Sequence, residues 1–143
     1  MGKINMTIVW RDQMSVGDAA VDNDHRYLIS LINSFQTSIQ TFDTPANLLV
    51  ALNQLGEYAK KHFIREENLQ ESIGYPGVES HRGIHGQLLL QLNDLIKKVG
   101  SQDSLEKAGM TKQQFIDFLR HWLIDHVIKE DLLFKPYVLN KKS

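Results

Sequence analysis

Residues 48–73 read LLVALNQLGEYAKKHFIREENLQESI, and this stretch decides the fold. Its apolar positions recur at spacings of three and four residues, which is typical of the inward face of a bundle helix. They are Leu48, Leu52, Leu55, Ala59, Leu69 and Ile73. The same stripe passes through His62 and Glu66, which lie one helical turn apart and therefore point the same way. Because an unpaired imidazole and carboxylate are costly to bury, the pattern predicts a metal ion as their partner.

The composition is that of one globular domain, which we expect to span 1–143. Of these 143 residues 42% are apolar, and the net charge is −1, so no basic surface is expected for nucleic acid or anionic lipid. The sequence has no cysteine, which excludes disulfides and thiolate-bound iron–sulfur clusters. It shows neither a secretion signal nor an apolar run that could cross a membrane. We therefore expect a cytoplasmic protein with no nucleic-acid or membrane partner.

The chain before this stretch predicts an arm and a first helix. Residues 1–17 are expected to form an extended N-terminal arm, with Trp10 packing as a lid over the core. A first helix is expected over about 18–40, because its apolar positions again follow the helical period. His25 lies in that apolar stripe. Taken alone, it indicates a buried core histidine more often than a ligand.

The second and third helices have clear boundaries. Thr44 is a suitable N-cap for the second helix, and Pro45 suits its first position. The turn residues at 74–77 end it. A third helix is expected over 78–100, with His81 and His85 one turn apart in its apolar stripe.

The fourth helix carries the last candidate ligands. Thr111 and Gln114 match a capping box, the apolar stripe reaches His126, and Pro136 is expected to end the helix. Asp131 lies five residues after His126, which puts it off the same face of an ideal α-helix. The two side chains can share a site if the helix widens locally into a π-bulge. The alternative is a solvated acid at Asp131.

Four amphipathic helices joined by short connections predict an all-α, up-down-up-down four-helix bundle over 18–137. Inward-facing histidines and carboxylates occur on all four helices; they are His25, His62, Glu66, His81, His85, His126 and Asp131. Five imidazoles and two carboxylates are too many ligands for one tetrahedral zinc ion. They suit two six-coordinate ions, of iron, manganese or zinc, that are bridged by both carboxylates and by an oxide or hydroxide. Such a set leaves one position open, where a diatomic gas could bind.

The motifs around these residues resemble the hemerythrin family, in its single-domain bacterial form, from Trp10 to about Tyr137. The matching segments are VDNDH at 21–25, HFIREE at 62–67, YP at 75–76 with HRGIH at 81–85, and WLIDH at 122–126 with Asp131. The resemblance implies two non-haem iron ions bridged by oxide or hydroxide. His81, His85 and His126 would hold one iron, His25 and His62 the other, and Glu66 and Asp131 would bridge them. The open position would then lie on the iron of His25 and His62.

The resemblance also implies reversible O2 binding, by a carrier, a store or a local supplier, rather than an enzyme. It implies an O2 pocket with walls formed by Leu28, Phe63 and Leu123. The alternatives are a di-iron enzyme, such as a peroxidase, an oxidase or a nitric-oxide-handling protein, and an oxygen or iron sensor that acts through a protein partner. A histidine-rich shell favours the carrier, because ferritin-like di-iron proteins use Glu-x-x-His pairs and more carboxylates.

Three positions depart from the family pattern without being ligands. Asp24 stands where the family often has Gln, Gln70 where it often has Met, and Phe134 where Tyr is common. Two further residues are expected to lie outside the site. His121 is five positions from His126 and is expected at the surface or rim, and Glu67 is expected to be solvated.

Overall fold

The computed structural model describes residues 7–39 and 45–142. In these residues the chain forms five α-helices. They are α1 (Ala19–Ser38), α2 (Pro45–Ser72), α3 (Val78–Gly100), α4 (Lys112–Ile124) and α5 (Lys135–Lys142). A π-helical turn (Asp125–Glu130) and a 3-10 turn (Asp131–Phe134) connect α4 to α5. Helix α1 packs against α2 and α4, and α2 packs against α3.

Two apolar clusters show how the helices alternate in direction. The large core includes Leu28, Leu52, Leu92 and Leu119, one from each of the four long helices. The end cluster is formed by Val16, Val21, Phe134 and Val138, with Leu69, Ile73, Tyr75 and Leu132 packed against it. Helix α1 runs from the end cluster to the large core, α2 runs back, and α4 again leads towards the end cluster. The predicted up-down-up-down bundle is therefore confirmed.

The described part of the arm lies on the bundle as predicted. The backbone N–H of Ile8 donates to Asn33 Oδ1 at 2.9 Å, and Asn33 Nδ2 donates back to the Ile8 carbonyl at 2.8 Å. Trp10 is partly buried against the large core, with the Arg26 guanidinium 4.6 Å from the centre of its ring. The arm is interrupted by a short 3-10 turn over Asp12–Met14.

The ends of the helices follow from local chemistry. Asp18 Oδ2 accepts from the backbone N–H of Val21 at 3.1 Å, which caps α1 at the predicted position. Helix α2 begins at Pro45, whereas its predicted cap Thr44 and the predicted last residue of the first helix, Gln40, lie outside the described residues. Gly74 follows α2 with φ of 72°, a left-handed conformation that glycine adopts without strain.

One expectation about the last third of the chain is wrong. Pro136 does not end the helical path, because it lies in the first turn of α5, where its missing N–H is not needed. The helical path therefore passes the predicted boundary at 137 and continues to Lys142. The connection over 101–110 contributes to the core, since Leu105 is buried and joins the large core.

Candidate metal centre

The structure brings all seven predicted ligands together in the layer between the large core and the end cluster. Their side chains are buried, and four of them have no exposed surface: His25, His62, Glu66 and Asp131. On α1 and α2 these residues lie between positions that belong to the two apolar clusters, so the fold surrounds a polar layer with hydrocarbon. Charged and polar groups in such a layer need partners of matching charge or a metal ion.

The helical spacing accounts for most of this geometry. His62 and Glu66 are one turn apart on α2, and His62 Nε2 lies 3.2 Å from Glu66 Oε2. Beyond α4, the backbone N–H of Asp131 bonds to the carbonyl of His126, five residues back, which is the hydrogen bond of a π-helix. The widened turn brings Asp131 Oδ1 to 2.9 Å from His126 Nε2. The predicted π-bulge is confirmed.

The seven side chains form two overlapping donor groups. One contains Glu66, His81, His85, His126 and Asp131; the other contains His25, His62, Glu66 and Asp131. Within each group the donor atoms all lie within 4.8 Å of one another. Glu66 and Asp131 belong to both groups. We name them the three-histidine group and the two-histidine group.

Several buried donor atoms in these groups have no hydrogen-bond partner among the described residues. They are Asp131 Oδ2, Glu66 Oε2 and His126 Nε2, although His25 Nε2 lies 2.7 Å from Asp131 Oδ2 and His126 Nε2 lies 2.9 Å from Asp131 Oδ1. The contacts that do form are crowded, since His81 Nε2 lies 2.9 Å from both Glu66 Oε1 and Asp131 Oδ1. Buried polar atoms in proteins are nearly always satisfied. A shared metal ion would satisfy the atoms that hydrogen bonds leave without a partner.

The electrostatics of the metal-free cluster favour protons on its nitrogens. Burial alone would lower the pKa of His25 and of His81, but the neighbouring carboxylates of Asp131 and Glu66 raise each to about 9. The same opposition raises the pKa of His126 to about 10. Burial would raise the pKa of both carboxylates, but the surrounding histidines hold that of Glu66 well below its usual range and lower that of Asp131 to about 2. A metal ion therefore competes with protons for these nitrogens.

A carboxylate that contacts the outer nitrogen of His62 was not predicted. The buried Asp24 carboxylate accepts from His62 Nδ1 at 3.0 Å, from Tyr58 at 2.6 Å and from Arg65 at 2.8 and 2.9 Å. Burial alone would raise the pKa of Asp24, but these hydrogen bonds hold it well below its usual range. The sequence does carry a signal, because Tyr58, His62 and Arg65 follow one another at helical spacing on α2.

The expectation that Glu67 is solvated is wrong. Its Oε2 atom lies 2.6 Å from His85 Nδ1, and its Oε1 atom accepts from Arg82 Nε at 3.3 Å. Arg82 also pairs with Glu71 and Glu79. Each donor group thus contains one histidine whose outer nitrogen meets a carboxylate, namely His62 and His85. Such partners fix the orientation of a ligating imidazole.

The residues of the predicted O2 pocket are buried beside the histidines. Phe63 stacks on the His85 ring at a centroid distance of 3.9 Å and an angle of 7°, and it lies 5.3 Å from the His126 ring and 5.6 Å from that of His62. Leu28 and Leu123 belong to the same apolar cluster as Phe63 and are almost fully buried. Their role in an O2 pocket stays a prediction.

Two other residues complete the surroundings. His121 is exposed, with 78% of its side chain accessible, as predicted for a surface histidine. It lines a surface groove of about 410 Å³ together with Trp122 and His126. Gln70 is fully buried one turn beyond Glu66, and neither the nitrogen nor the oxygen of its amide has a hydrogen-bond partner within 7–39 and 45–142.

Comparison with known proteins agrees with this geometry. Residues 16–138 match the family model described as Hemerythrin HHE cation binding domain. The Bacteriohemerythrin of Clostridium acetobutylicum is 29% identical over 86% of this chain and 95% of its own. That of Stenotrophomonas maltophilia is 26% identical over 92% of this chain and 81% of its own. The crystal structure of wild-type hemerythrin superimposes with a TM-score of 0.79 at 23% identity, covering 93% of this chain and 98% of that one, and so shows the fold.

These findings bear on the expected class of protein. The relatives carry the name of bacteriohemerythrin rather than that of an enzyme, in agreement with the expectation that this chain is not one. Among the described residues, no helix combines the length and apolar character that a membrane span requires. A buried cluster of histidines and carboxylates that can hold metal, an all-α bundle and a family model matching 16–138 establish that this chain belongs to the hemerythrin family.

Proposed function

We propose that this protein binds O2 reversibly at a non-haem di-iron centre, as an oxygen carrier, store or local supplier. One observation carries the proposal. Two buried donor groups share both of their carboxylates, Glu66 and Asp131. Such a pair of donor groups suits two neighbouring cations that share the two carboxylates.

The side chains would divide the work between holding metal and keeping water out. The three histidines of the three-histidine group would hold one iron, and His25 and His62 would hold the other. Iron at this site would supply the electrons that O2 takes up on binding. Leu28, Phe63 and Leu123 would surround the O2 site with hydrocarbon, which excludes water and protects the ferrous state.

A carrier fits these residues better than a di-iron oxidase or peroxidase. The donor groups contain five imidazoles and only two carboxylates, whereas carboxylate-rich shells characterise the ferritin-like di-iron proteins. The three proposed pocket residues are apolar and have no proton to donate to bound O2. The proposed site therefore favours release of O2 over cleavage of its O–O bond.

The test is a titration of the iron-loaded protein with O2. Protein reconstituted with Fe²⁺ under argon is expected to contain two irons per chain, to develop an absorption band on addition of O2, and to lose that band when the gas is removed. One zinc ion or no bound metal would refute the di-iron site. A band that never reverses, or rapid turnover of a peroxidase substrate, would favour an enzyme.

The proposed ligand set has its own test. His62→Ala and His126→Ala should each lower the iron content, because each removes a nitrogen from one donor group. His121→Ala is the matched control, since His121 lies on α4 near His126 but is exposed. Elemental analysis of the three variants measures the effect. Equal loss of iron in all three would show that the inward face of the fourth helix is misplaced, and would contradict the proposed ligand set.

A further inference from the structure

Asp24 is the most completely bonded carboxylate next to the candidate metal centre. It is 6% exposed, and each of its oxygens meets two donors. Oδ2 accepts from His62 Nδ1 and from Arg65 Nε, at 3.0 and 2.9 Å. Oδ1 accepts from the Tyr58 hydroxyl and from Arg65 Nη2, at 2.6 and 2.8 Å. Three side chains of α2 therefore fix the orientation of the Asp24 carboxylate.

This bonding fixes the protonation pattern and the direction of the His62 ring. Because a carboxylate only accepts, His62 Nδ1 must carry a proton, so in the neutral imidazole that binds metal the free lone pair is on Nε2. Nε2 lies 3.1 Å from His25 Nε2 and 3.2 Å from Glu66 Oε2, on the side where the two-histidine group converges. The ring is therefore held with its metal-binding nitrogen towards the site.

The other histidine of this group has no such support. His25 Nδ1 is buried and makes no hydrogen bond among the described residues. Of the two imidazoles in the group, only His62 is oriented by a charged partner. On the three-histidine side the corresponding partner of His85 is Glu67, whose carboxylate is shared with Arg82.

We propose that Asp24 is a positioning residue that orients His62 and thereby sets the metal affinity of the two-histidine group, with Arg65 and Tyr58 holding the Asp24 carboxylate in place. The proposal rests on the proposed di-iron site. The two-point contact of Arg65 aims Oδ2 at His62, and Tyr58 prevents the carboxylate from rotating away. The positive charge of Arg65 also compensates the buried negative charge of Asp24. The Arg65 side chain itself is 44% exposed and reaches solvent.

The alternative is that the cluster is only a structural link between α1 and α2. Such a link would contribute to the stability of the metal-free bundle but would not distinguish one metal ion from the other. The proposal differs, because outer partners of ligating histidines typically change metal affinity about 10- to 100-fold. Removing the Asp24 charge should therefore lower only the stability of the bundle under the structural alternative. Under the proposal it should lower the affinity for one of the two metal ions.

The main test is competition for Fe²⁺ between the full-length protein and a chelator under argon, which measures two successive dissociation constants. Asp24→Asn keeps the size of the side chain and removes its charge. We expect one of the two ions to bind about 10- to 100-fold more weakly and the other to be unchanged. Glu67→Gln is the matched variant, and its effect should fall on the other ion. An Asp24→Asn protein with both constants unchanged would overturn the proposal.

A double-mutant cycle shows whether the effect passes through His62. In a His62→Gln background, Asp24→Asn should cause no further loss of metal affinity, since the ring that it positions is gone. Additive losses in the double variant would assign Asp24 a structural role and reject the proposal. If Asp24→Asn does not fold, the same cycle is run with Arg65→Gln, whose half-exposed side chain can be replaced with less damage. It should give a smaller loss in the same direction, and no loss would also reject the proposal.

A spectroscopic measurement tests the hydrogen bond itself. In protein loaded with diamagnetic Zn²⁺ and labelled with ¹⁵N-histidine, the Nδ1–H proton of His62 should exchange slowly with solvent. In Asp24→Asn it should shift upfield and exchange faster, because the acceptor is no longer charged. An identical signal in both proteins would contradict the proposal. Wild-type protein that takes up no metal at all would instead refute the proposed function, so the two failures are distinguishable.

Discussion

At the scale of single residues, Gln70 carries an unusual cost. Its side chain has no exposed surface, and in the part of the chain that the structure describes both polar atoms of its amide lack a hydrogen-bond partner. Burying an amide without a partner costs about 1 to 3 kcal/mol by mutational measurements. Its neighbours in the end cluster, such as Leu69 and Ile73, are apolar.

Gln70→Met should therefore stabilise the protein. Methionine has a similar volume and no amide to desolvate, so we expect the free energy of unfolding to rise by about 1 to 3 kcal/mol. Urea denaturation of the metal-free protein measures this without any contribution from bound iron. Gln54→Met, at an exposed position of the same helix, is the control and should change little. A less stable Gln70→Met protein would show that ordered water satisfies the amide.

Leu123→Ala tests the proposed O2 pocket. Removing a nearly buried leucine beside the histidines should admit water and speed the irreversible oxidation of the oxygenated protein, with the iron content unchanged. The measurement is the first-order decay of the oxygenated absorption band. Leu119→Ala, one turn earlier on α4, removes the same atoms from the large core and controls for lost stability. Equal decay rates in wild type and Leu123→Ala would exclude this residue from the pocket.

The sequence predicts which residues point inward but not which outer groups meet them. The ligand positions follow from the period of each helix, which is a local property of the chain. The contact of Asp24 with His62 joins residues 38 positions apart on two helices, and that of Glu67 with His85 joins residues 18 apart. Such contacts depend on the rotation and offset of packed helices. The expectation that Glu67 is solvated was wrong for the same reason, because it rested on the position of Glu67 along α2 and not on the packing of α2 against α3.

At the scale of helices and turns, the π-helical turn after α4 is what brings Asp131 into the candidate metal centre. A separation of five positions between His126 and Asp131 does not fit one face of an α-helix, and the sequence thereby predicts the π-helical turn. The path beyond it was harder to foresee. A proline is tolerated at the start of a helix, so Pro136 marks the first turn of α5 and not an end.

The capping box of α4 offers a test at this scale. Gln114 N–H donates to Thr111 Oγ1 at 3.0 Å, and the Thr111 N–H donates to Gln114 Oε1 at 2.9 Å. Thr111→Ala should lower the free energy of unfolding by about 1 kcal/mol in a urea titration, because the first turn loses its cap. Thr111→Ser retains the oxygen and should lose much less. If serine and alanine were equally destabilising, the hydroxyl would not be acting as the cap.

At the scale of the whole molecule, the bundle encloses a charged layer that needs either protons or metal. Helix α1, α2, α3 and the segment after α4 each deliver titratable groups to one buried volume. Without metal, protonated histidines balance Glu66 and Asp131, as the raised pKa of His25, His81 and His126 indicates. Stability of the fold and occupancy of the site are therefore coupled.

The direction of these pKa shifts determines how the metal-free protein responds to pH. The pKa of His25 and of His81 rises from 6.5 to about 9. Each histidine therefore binds its proton more tightly in the folded protein than in the unfolded protein. Its stabilising contribution is complete below pH 6.5 and is lost as the pH rises through about 9. Asp131, whose pKa falls from 3.8 to about 2, contributes above pH 3.8 and loses its contribution as the pH falls through about 2. Both contributions are therefore fully present between about pH 3.8 and pH 6.5.

The metal-free protein should therefore melt at a lower temperature at pH 9 than at pH 6.5, whereas the metal-loaded protein should not follow it. In the loaded form the same nitrogens bind metal instead of protons, so raising the pH removes no stabilising charge. Thermal unfolding of both forms at the two pH values measures this, with Zn²⁺ or anaerobic Fe²⁺ as the metal. The gap in Tm between the two forms should widen as the pH rises, since fewer protons compete for the site. A gap that narrows, or two forms that melt together at both pH values, would show that the buried histidines do not exchange protons for metal.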